Sequence, residues 1–205
     1  MNESYRGAVD AAGAGRPGWQ SVGEIAGFPF DSFEELQAAV RIKSFNIGVD
    51  PVAAAQWSDS FNSKPNKVAI AVLSGLLILS ALAALVAAFA LGEYWLLLAL
   101  PVQALTFYVS HPASPFRKWV TVAGAASVAI FINFLFNGHV TGATIVAYAG
   151  LTFAAVRAAA FISNAAFRKA LLADEELFLT AYANRICTVR NNRTERVYAA
   201  RHVRD

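Results

Sequence analysis

Residues 68–91 read VAIAVLSGLLILSALAALVAAFAL and contain no charged side chain. The hydrocarbon core of a bilayer needs about 20 apolar residues in a helix, so this stretch is long enough to cross a membrane. A crossing segment must satisfy its own backbone hydrogen bonds in lipid, which favours a helix. The stretch therefore predicts a transmembrane helix in an integral membrane protein.

Three further apolar stretches follow, at residues 92–110, 119–136 and 140–162. The first of the three contains Pro101, which lacks a backbone N–H and predicts a kink. Aromatic residues at both of its ends are typical of the membrane interface. The four stretches together predict an all-α membrane protein built on a four-helix transmembrane bundle.

The positions of the cations predict the orientation of this bundle. The 17 Lys and Arg residues lie in the amino-terminal tail, in the loop between the second and third stretches, and from Arg157 onward. The two opposite connections carry only Glu93 and His139 as titratable groups. Cations resist translocation, so the pattern predicts a multi-pass protein of the bacterial inner membrane with both termini in the cytoplasm.

Composition agrees with a membrane protein. The 205 residues are 57% hydrophobic and 15% charged, whereas a soluble domain carries about 25% charged residues. The formal net charge of +3 is explained by membrane orientation, so nucleic acid is not an expected partner. The single cysteine, Cys187, excludes an internal disulfide.

The apolar stretches divide the chain into four regions. Residues 1–23 are polar and glycine-rich, which predicts a disordered tail. Residues 24–67 form a cytoplasmic juxtamembrane region, residues 68–162 the bundle, and residues 163–205 a cytoplasmic carboxyl-terminal tail.

The juxtamembrane region contains a short amphipathic helix. Ser32 followed by Glu35 is typical of a capping box and predicts a helix over about residues 33–45. We interpret its apolar face as a contact surface for a partner protein, the membrane surface or the carboxyl-terminal tail. This face consists of Phe33, Leu36 and Val40.

The carboxyl-terminal tail also contains short elements. Three carboxylates from Asp174 onward favour the positive end of a helix dipole and predict a second helix over about residues 174–184. Beyond it, β-branched residues around Asn191 indicate a small hairpin that pairs residues 186–190 with residues 195–199.

Small residues recur at steps of three or four along the fourth apolar stretch and share one helix face. Such a stripe lets another helix approach closely in lipid. We predict packing within the four-helix bundle, with packing between copies of the chain as the alternative. The residues are Ala143, Ala147, Gly150, Ala154 and Ala158.

Two side-chain amides, those of Gln103 and Asn133, lie inside apolar stretches. A free amide in hydrocarbon is penalised by several kcal/mol, so each needs a partner. An interhelical hydrogen bond is one interpretation, and a polar binding spot for a substrate is the other.

No motif in the chain predicts catalysis. Pumps and transporters usually need ionisable residues inside the bilayer, and the central parts of the four stretches contain no Asp, Glu, Lys or His. A phosphate-binding loop, a nucleophile elbow and a paired-histidine motif are all missing. We therefore predict no catalytic residue, no metal site and no cofactor.

The leading hypothesis is a non-enzymatic membrane subunit or scaffold of a larger inner-membrane assembly. Its partners would be the lipid bilayer, other subunits of the complex, or a second copy of the chain. The main alternative is a small oligomeric channel or transporter whose path is lined by Gln103, Asn133 and Thr144. A weaker alternative is a lipid-modifying enzyme with a site near His111, Arg117 and Asp174.

Overall fold

Helices dominate the computed structural model, which describes residues 18–52, 61–111, 114–116 and 120–200. Two 3-10 helices, Val22–Glu24 and Tyr94–Leu98, accompany the main elements. In chain order these are α1 (Phe33–Arg41), β1 (Phe45–Val49), α2 (Lys64–Ala90), α3 (Ala99–Ser110), α4 (Val120–Phe136), α5 (Val140–Leu171), α6 (Glu175–Ala183), β2 (Cys187–Asn191) and β3 (Val197–Tyr198). The predominance of helix fits the all-α class, with one small sheet added.

The chain divides into two compact units. The terminal unit combines the residues up to Ser63 with those from Ser163 onward, and the apolar unit is Lys64–Ile162. The predicted disordered tail, residues 1–23, overlaps the described part of the chain only at residues 18–23, where Val22 is fully buried.

The terminal unit has one hydrophobic core to which both tails contribute. Hydrogen bonds between the tails accompany the apolar contacts: Val22 N donates to Glu175 Oε1 at 2.9 Å, and Gln37 Nε2 donates to Leu172 O at 2.7 Å. The largest fully buried side chains of this core are Val22, Leu36, Ile47, Phe167, Leu171, Leu177, Phe178, Cys187 and Val189. Each tail therefore buries the apolar face that the other exposes.

Local capping explains where α1 begins. Ser32 Oγ accepts a hydrogen bond from Glu35 N at 3.3 Å, as the capping box predicts. In a capping box the carboxylate of Glu35 would accept from Ser32 N. Here it accepts instead from Asp31 N, one residue earlier, at 3.1 Å. The helix was predicted to continue to residue 45, but it ends at Arg41 because Lys43 adopts a left-handed backbone conformation with φ of 59°. Phe45 then begins a strand.

The sheet has the order β1-β2-β3 with antiparallel neighbours. Strands β2 and β3 form the predicted carboxyl-terminal hairpin, with Val189 opposite Tyr198. Strand β1 was not predicted, and it pairs with β2 along its whole length, from Phe45 opposite Asn191 to Val49 opposite Cys187.

Within the described residues, two helices, Lys64–Ala90 and Val140–Leu171, are long and apolar enough to cross a membrane. The segments Tyr94–Ser110 and Gly124–Phe136 are apolar but shorter. The last long helix extends beyond residue 162 and includes Arg168 and Lys169.

Pro101, where the sequence predicts a kink, lies just after the chain passes from a 3-10 helix into an α-helix. The segment before it is the 3-10 helix Tyr94–Leu98, and α3 begins at Ala99. Pro101 therefore lies in the first turn of α3, where a missing backbone N–H leaves no intrahelical hydrogen bond unmade.

Candidate functional site

The terminal unit contains the same helix-turn-strand motif twice. The first copy is α1 followed by β1, and the second is α6 followed by β2; each has a helix of 9 residues and a strand of 5. The two copies correspond at one constant offset, because Phe33 matches Glu175 and Phe45 matches Cys187 (175 − 33 = 187 − 45 = 142).

Equivalent hydrogen bonds hold both copies. Ser32 caps α1 through its side chain, and Asp174 Oδ1 caps α6 by accepting from Leu177 N at 3.0 Å. In the turns, Ser44 N donates to Ala39 O at 3.0 Å and Ile186 N to Ala181 O at 2.8 Å. Each turn also contains one basic residue with φ of 59°, which is Lys43 in the first copy and Arg185 in the second.

The repeat leaves only a faint trace in the sequence. Buried apolar residues occupy matching positions, namely Leu36 with Phe178, Ala39 with Ala181 and Ile47 with Val189. Few other positions share a residue type, which is why sequence reasoning missed the motif. Its detectable signal was the pair of caps, Ser32 and Asp174, each followed by a short helix and a basic turn.

The two copies pair through their strands with approximate twofold symmetry. Ile47 lies opposite its own counterpart Val189 at the centre of the pairing. The terminal hydrogen bonds are counterparts as well, with Asp50 N donating to Ile186 O at 2.8 Å and Asn192 N donating to Ser44 O at 2.9 Å.

This symmetry defines two equivalent sheet edges, of which one is filled. Backbone groups alternate in direction along an antiparallel strand. In β2, Asn191 N points towards β3 and donates to Arg196 O at 2.9 Å. The corresponding groups of β1 belong to Phe45, Ile47 and Val49, and in the part of the chain that the structure describes no strand lies beside them. We call this row of backbone groups the β1 edge.

Charged residues stand at both ends of the β1 edge. Lys43 and Asp50 are exposed, and Asp50 Oδ1 accepts from Val52 N at 2.7 Å. A strand edge with opposite charges at its two ends can recognise an extended partner through main-chain hydrogen bonds and can fix its direction.

Aromatic rings support the sheet behind this edge. Phe45 packs edge-on against Phe30 with ring centroids 4.7 Å apart, and Phe28 packs against Tyr182 at 5.4 Å. Burial raises the pKa of Tyr182 to about 12, with a smaller contribution from Cys187. Burial also raises the pKa of the Cys187 thiol, whose side chain is part of the core of the terminal unit.

The predicted partner-contact face of α1 is not available to a second protein. Phe33 and Leu36 are buried in the core of the terminal unit, and Val40 packs against it. Of the three contacts considered for these side chains, a partner protein, the membrane surface and the carboxyl-terminal tail, the structure has the third: the carboxyl-terminal tail of the same chain covers them.

The two amides predicted inside the membrane have different surroundings. Gln103 Nε2 donates to Leu77 O at 3.0 Å and to Ser80 Oγ at 2.9 Å, which links α3 to α2. Gln103 Oε1 is buried and accepts no hydrogen bond from the described residues. Asn133 is exposed on α4, and Thr144 Oγ1 donates to Val140 O within its own helix.

The stripe of small residues on α5 faces open space over part of its length. Ala143 is buried, whereas Ala147, Gly150 and Ala154 line a groove of about 850 Å³. Ala158 is half-buried and is not part of the lining. The groove is apolar except for four of its lining residues, which are Thr106, Ser110, Ser127 and Arg157. None of Gln103, Asn133 and Thr144 reaches it, so the three residues proposed to line a transport path do not share this groove.

No group of three or more metal-ligating side chains occurs in the described ranges. Comparisons of the chain with protein-family models, curated proteins and solved structures found no match in any of the three.

Proposed function

We propose that this protein is a non-enzymatic membrane scaffold, a subunit of a larger assembly in the bacterial inner membrane. The apolar unit anchors it as a four-helix transmembrane bundle, and the terminal unit docks a partner on the cytoplasmic side. The observation that carries the proposal is the β1 edge, an open strand edge in a unit that both tails build.

The exposure of the apolar helices supports the anchoring role. The core helix of a soluble protein is mostly buried, whereas few residues in the most apolar segments of α2 and α5 are buried. Large apolar side chains such as Ile78, Leu79 and Phe89 are more than 60% exposed. Contiguous apolar surface of this kind is stable only against lipid or another protein.

Four crossings require the two shorter segments to span the bilayer as well. The helix Val120–Phe136 has 17 residues, which spans about 25 Å at about 1.5 Å per residue. A hydrocarbon core of about 30 Å can thin locally around a short helix at modest cost. The segment Tyr94–Ser110 is of similar length.

The terminal unit restricts the topology. Residues before Ser63 and after Ser163 fold into one unit, so they must lie on the same side of any membrane that the chain crosses. The chain between them then crosses an even number of times, which is consistent with four helices. The cation distribution favours the cytoplasm for that side.

An open strand edge supports the docking role. Exposed edges are templates for pairing with another chain, and proteins usually cover or blunt them. The equivalent edge of β2 is covered by β3, whereas the described residues place no further strand beside the β1 edge, and Lys43 and Asp50 stand at its ends. Main-chain hydrogen bonds along such an edge bind an extended segment.

Photocrosslinking in intact membranes tests this function. A photoreactive residue at Asn46, which is exposed on β1, should capture a specific protein, whereas the same residue at Glu34, which is exposed on α1, should not. A reporter fused after Asp205 should be cytoplasmic. Recovery of the chain from mild detergent as a monomer without any captured protein would contradict the scaffold role.

A further inference from the structure

We propose that the β1 edge binds the β1 edge of a second copy of this chain. The two strands would pair antiparallel with Ile47 opposite its own copy, and the two three-stranded sheets would join into one sheet of six strands. This pairing rests on the docking role proposed for the β1 edge, and it specifies the partner.

The backbone of β1 is complementary to itself in this register. Phe45, Ile47 and Val49 direct their N–H and C=O groups outward, because Ser44 and Asp50 direct theirs towards β2. A twofold axis at Ile47 places Phe45 opposite the second copy's Val49. Each outward residue then meets an outward residue, and a shift by one position would place outward groups against inward ones.

Side chains suit the same register. An aromatic residue opposite a β-branched one is a favourable cross-strand pair, and Phe45 meets Val49 at both ends of the shared segment. Both residues are only half-buried in the single chain, so pairing would cover apolar surface that is now partly exposed. Ile47 is 1% exposed and stays within the core.

Charges agree with an antiparallel arrangement of two copies. The register places Ser44 opposite the second copy's Asp50, so Lys43 stands beside that carboxylate. The twofold axis repeats this contact at the other end. A parallel arrangement would instead place Lys43 beside Lys43 and Asp50 beside Asp50, which like-charge repulsion disfavours.

The chain already contains one pairing of this kind. Strands β1 and β2 are equivalent segments that pair antiparallel about the centre between Ile47 and Val189. A second copy across the β1 edge would repeat this arrangement with true twofold symmetry, as most homodimers have. The second copy's β1 would also lie beside β1 in the position that β3 occupies beside β2, the equivalent strand of the repeat.

The strand contact alone is small, since β1 has 5 residues, and a stable interface usually buries about 1,600 Å². Membrane anchoring compensates because it holds the copies in one plane at a high effective concentration. The dimer should therefore form in membranes and weaken on dilution in detergent.

Cysteine crosslinking of the full chain in lipid nanodiscs or membranes tests the pairing. In the proposed register the two Asn46 residues are diagonal neighbours about 7–8 Å apart, so the Asn46→Cys variant should crosslink to itself with the shortest bismaleimide. The matched control is Val197→Cys on β3, which is 56% exposed. It would lie five strand spacings from its copy, about 24 Å, and should not crosslink.

Charge reversal gives an independent readout of the dimer fraction. Lys43→Glu should weaken the dimer about fivefold, because it replaces two attractive contacts by repulsive ones. Adding Asp50→Lys to the same chain should recover most of the loss. A dimer that is insensitive to both changes would overturn the proposed register.

The outcomes separate this inference from the scaffold function. Self-crosslinking at Asn46 and none at Val197 supports the dimer. A monomeric chain whose Asn46 position captures a different protein overturns the dimer and leaves the scaffold role intact. If position 46 crosslinks neither to a second copy of this chain nor to another protein, the dimer and the scaffold role are both contradicted.

Discussion

Ile47 lies directly opposite Val189 in the antiparallel pair of β1 and β2, and the two residues occupy the same position in the two helix-turn-strand motifs. Both are buried in the core that the two tails share, with exposed fractions of 1% and 0%. The centre of the sheet is thus also the centre of the internal repeat, and its stability should depend on both ends of the chain.

Shortening a side chain at this centre should destabilise the terminal unit. We expect Ile47→Ala to lower the free energy of unfolding by about 2–5 kcal/mol, because it removes a buried aliphatic side chain and leaves a cavity. Val197→Ala on the exposed face of β3 should change it by less than about 0.5 kcal/mol. The rate of alkylation of Cys187, the single and buried cysteine, measures opening of the unit in the membrane. Equal alkylation rates for the two variants would argue against a shared core.

Capping residues of the two motifs should act on the same unit. Ser32→Ala and Asp174→Ala each remove a side-chain acceptor of a helix N-terminus, which costs about 1 kcal/mol. Although Ser32 is far from Cys187 in sequence, Ser32→Ala should accelerate the alkylation of Cys187 about fivefold if opening is global. The exposed Glu34→Ala variant is the control. If only Asp174→Ala affected Cys187, the two tails would be unfolding separately.

High pH should destabilise the terminal unit. Burial raises the pKa of Cys187 above its ordinary value of 9.0 and that of Tyr182 from 10.0 to about 12. Both groups lose protons more readily in the unfolded chain. Their contribution to the free energy of unfolding is therefore intact below about pH 9 and is lost as the pH rises. The free energy of unfolding should fall by up to about 1.4 kcal/mol per pH unit for each group that ionises only when unfolded.

Two substitutions identify the groups responsible for this pH dependence. Tyr182→Phe should remove the fall in the free energy of unfolding that begins near pH 10. Cys187→Ala should remove the fall that begins near pH 9. Denaturant titrations followed by circular dichroism from pH 7 to 11 measure both. A slope that persists in the double variant would assign the effect to other groups.

Replacement of Gln103 by leucine should change the stability of the apolar unit only slightly. The variant loses two donated hydrogen bonds, to Leu77 O and to Ser80 Oγ, each worth about 1 kcal/mol or less between helices in lipid. It also removes the buried Oε1, which offsets part of the loss. Ser80 Oγ still donates to Leu77 O within α2.

Unfolding in sodium dodecyl sulfate, followed by circular dichroism, checks the Gln103→Leu variant. The matched change Asn133→Leu, at an exposed position of α4, should be neutral or stabilising. A loss of several kcal/mol for Gln103→Leu would show that Oε1 has a partner in the membrane, such as water or a bound ligand.

Local features were predictable because they depend on neighbouring residues. The long apolar run predicts a helix at residues 68–91, and the structure has one at Lys64–Ala90. The Ser32 cap and the acidic start of the second short helix predict both helix beginnings, and the carboxyl-terminal hairpin follows from β-branched residues around a turn. Each signal lies within a few residues of the element that it specifies.

The candidate site was decided by tertiary structure alone. Residues 45–49 read FNIGV, which favours neither a strand nor a helix strongly, and only pairing with a segment near the other end of the chain makes them a strand. Tertiary contacts likewise decided which of the predicted surfaces covers Phe33, Leu36 and Val40, namely the carboxyl-terminal tail. Amino-acid order by itself determined which segments are apolar and where helices begin, because those properties are local. Which apolar faces meet, and which strand edge stays open, depended on contacts between distant segments that no local pattern encodes.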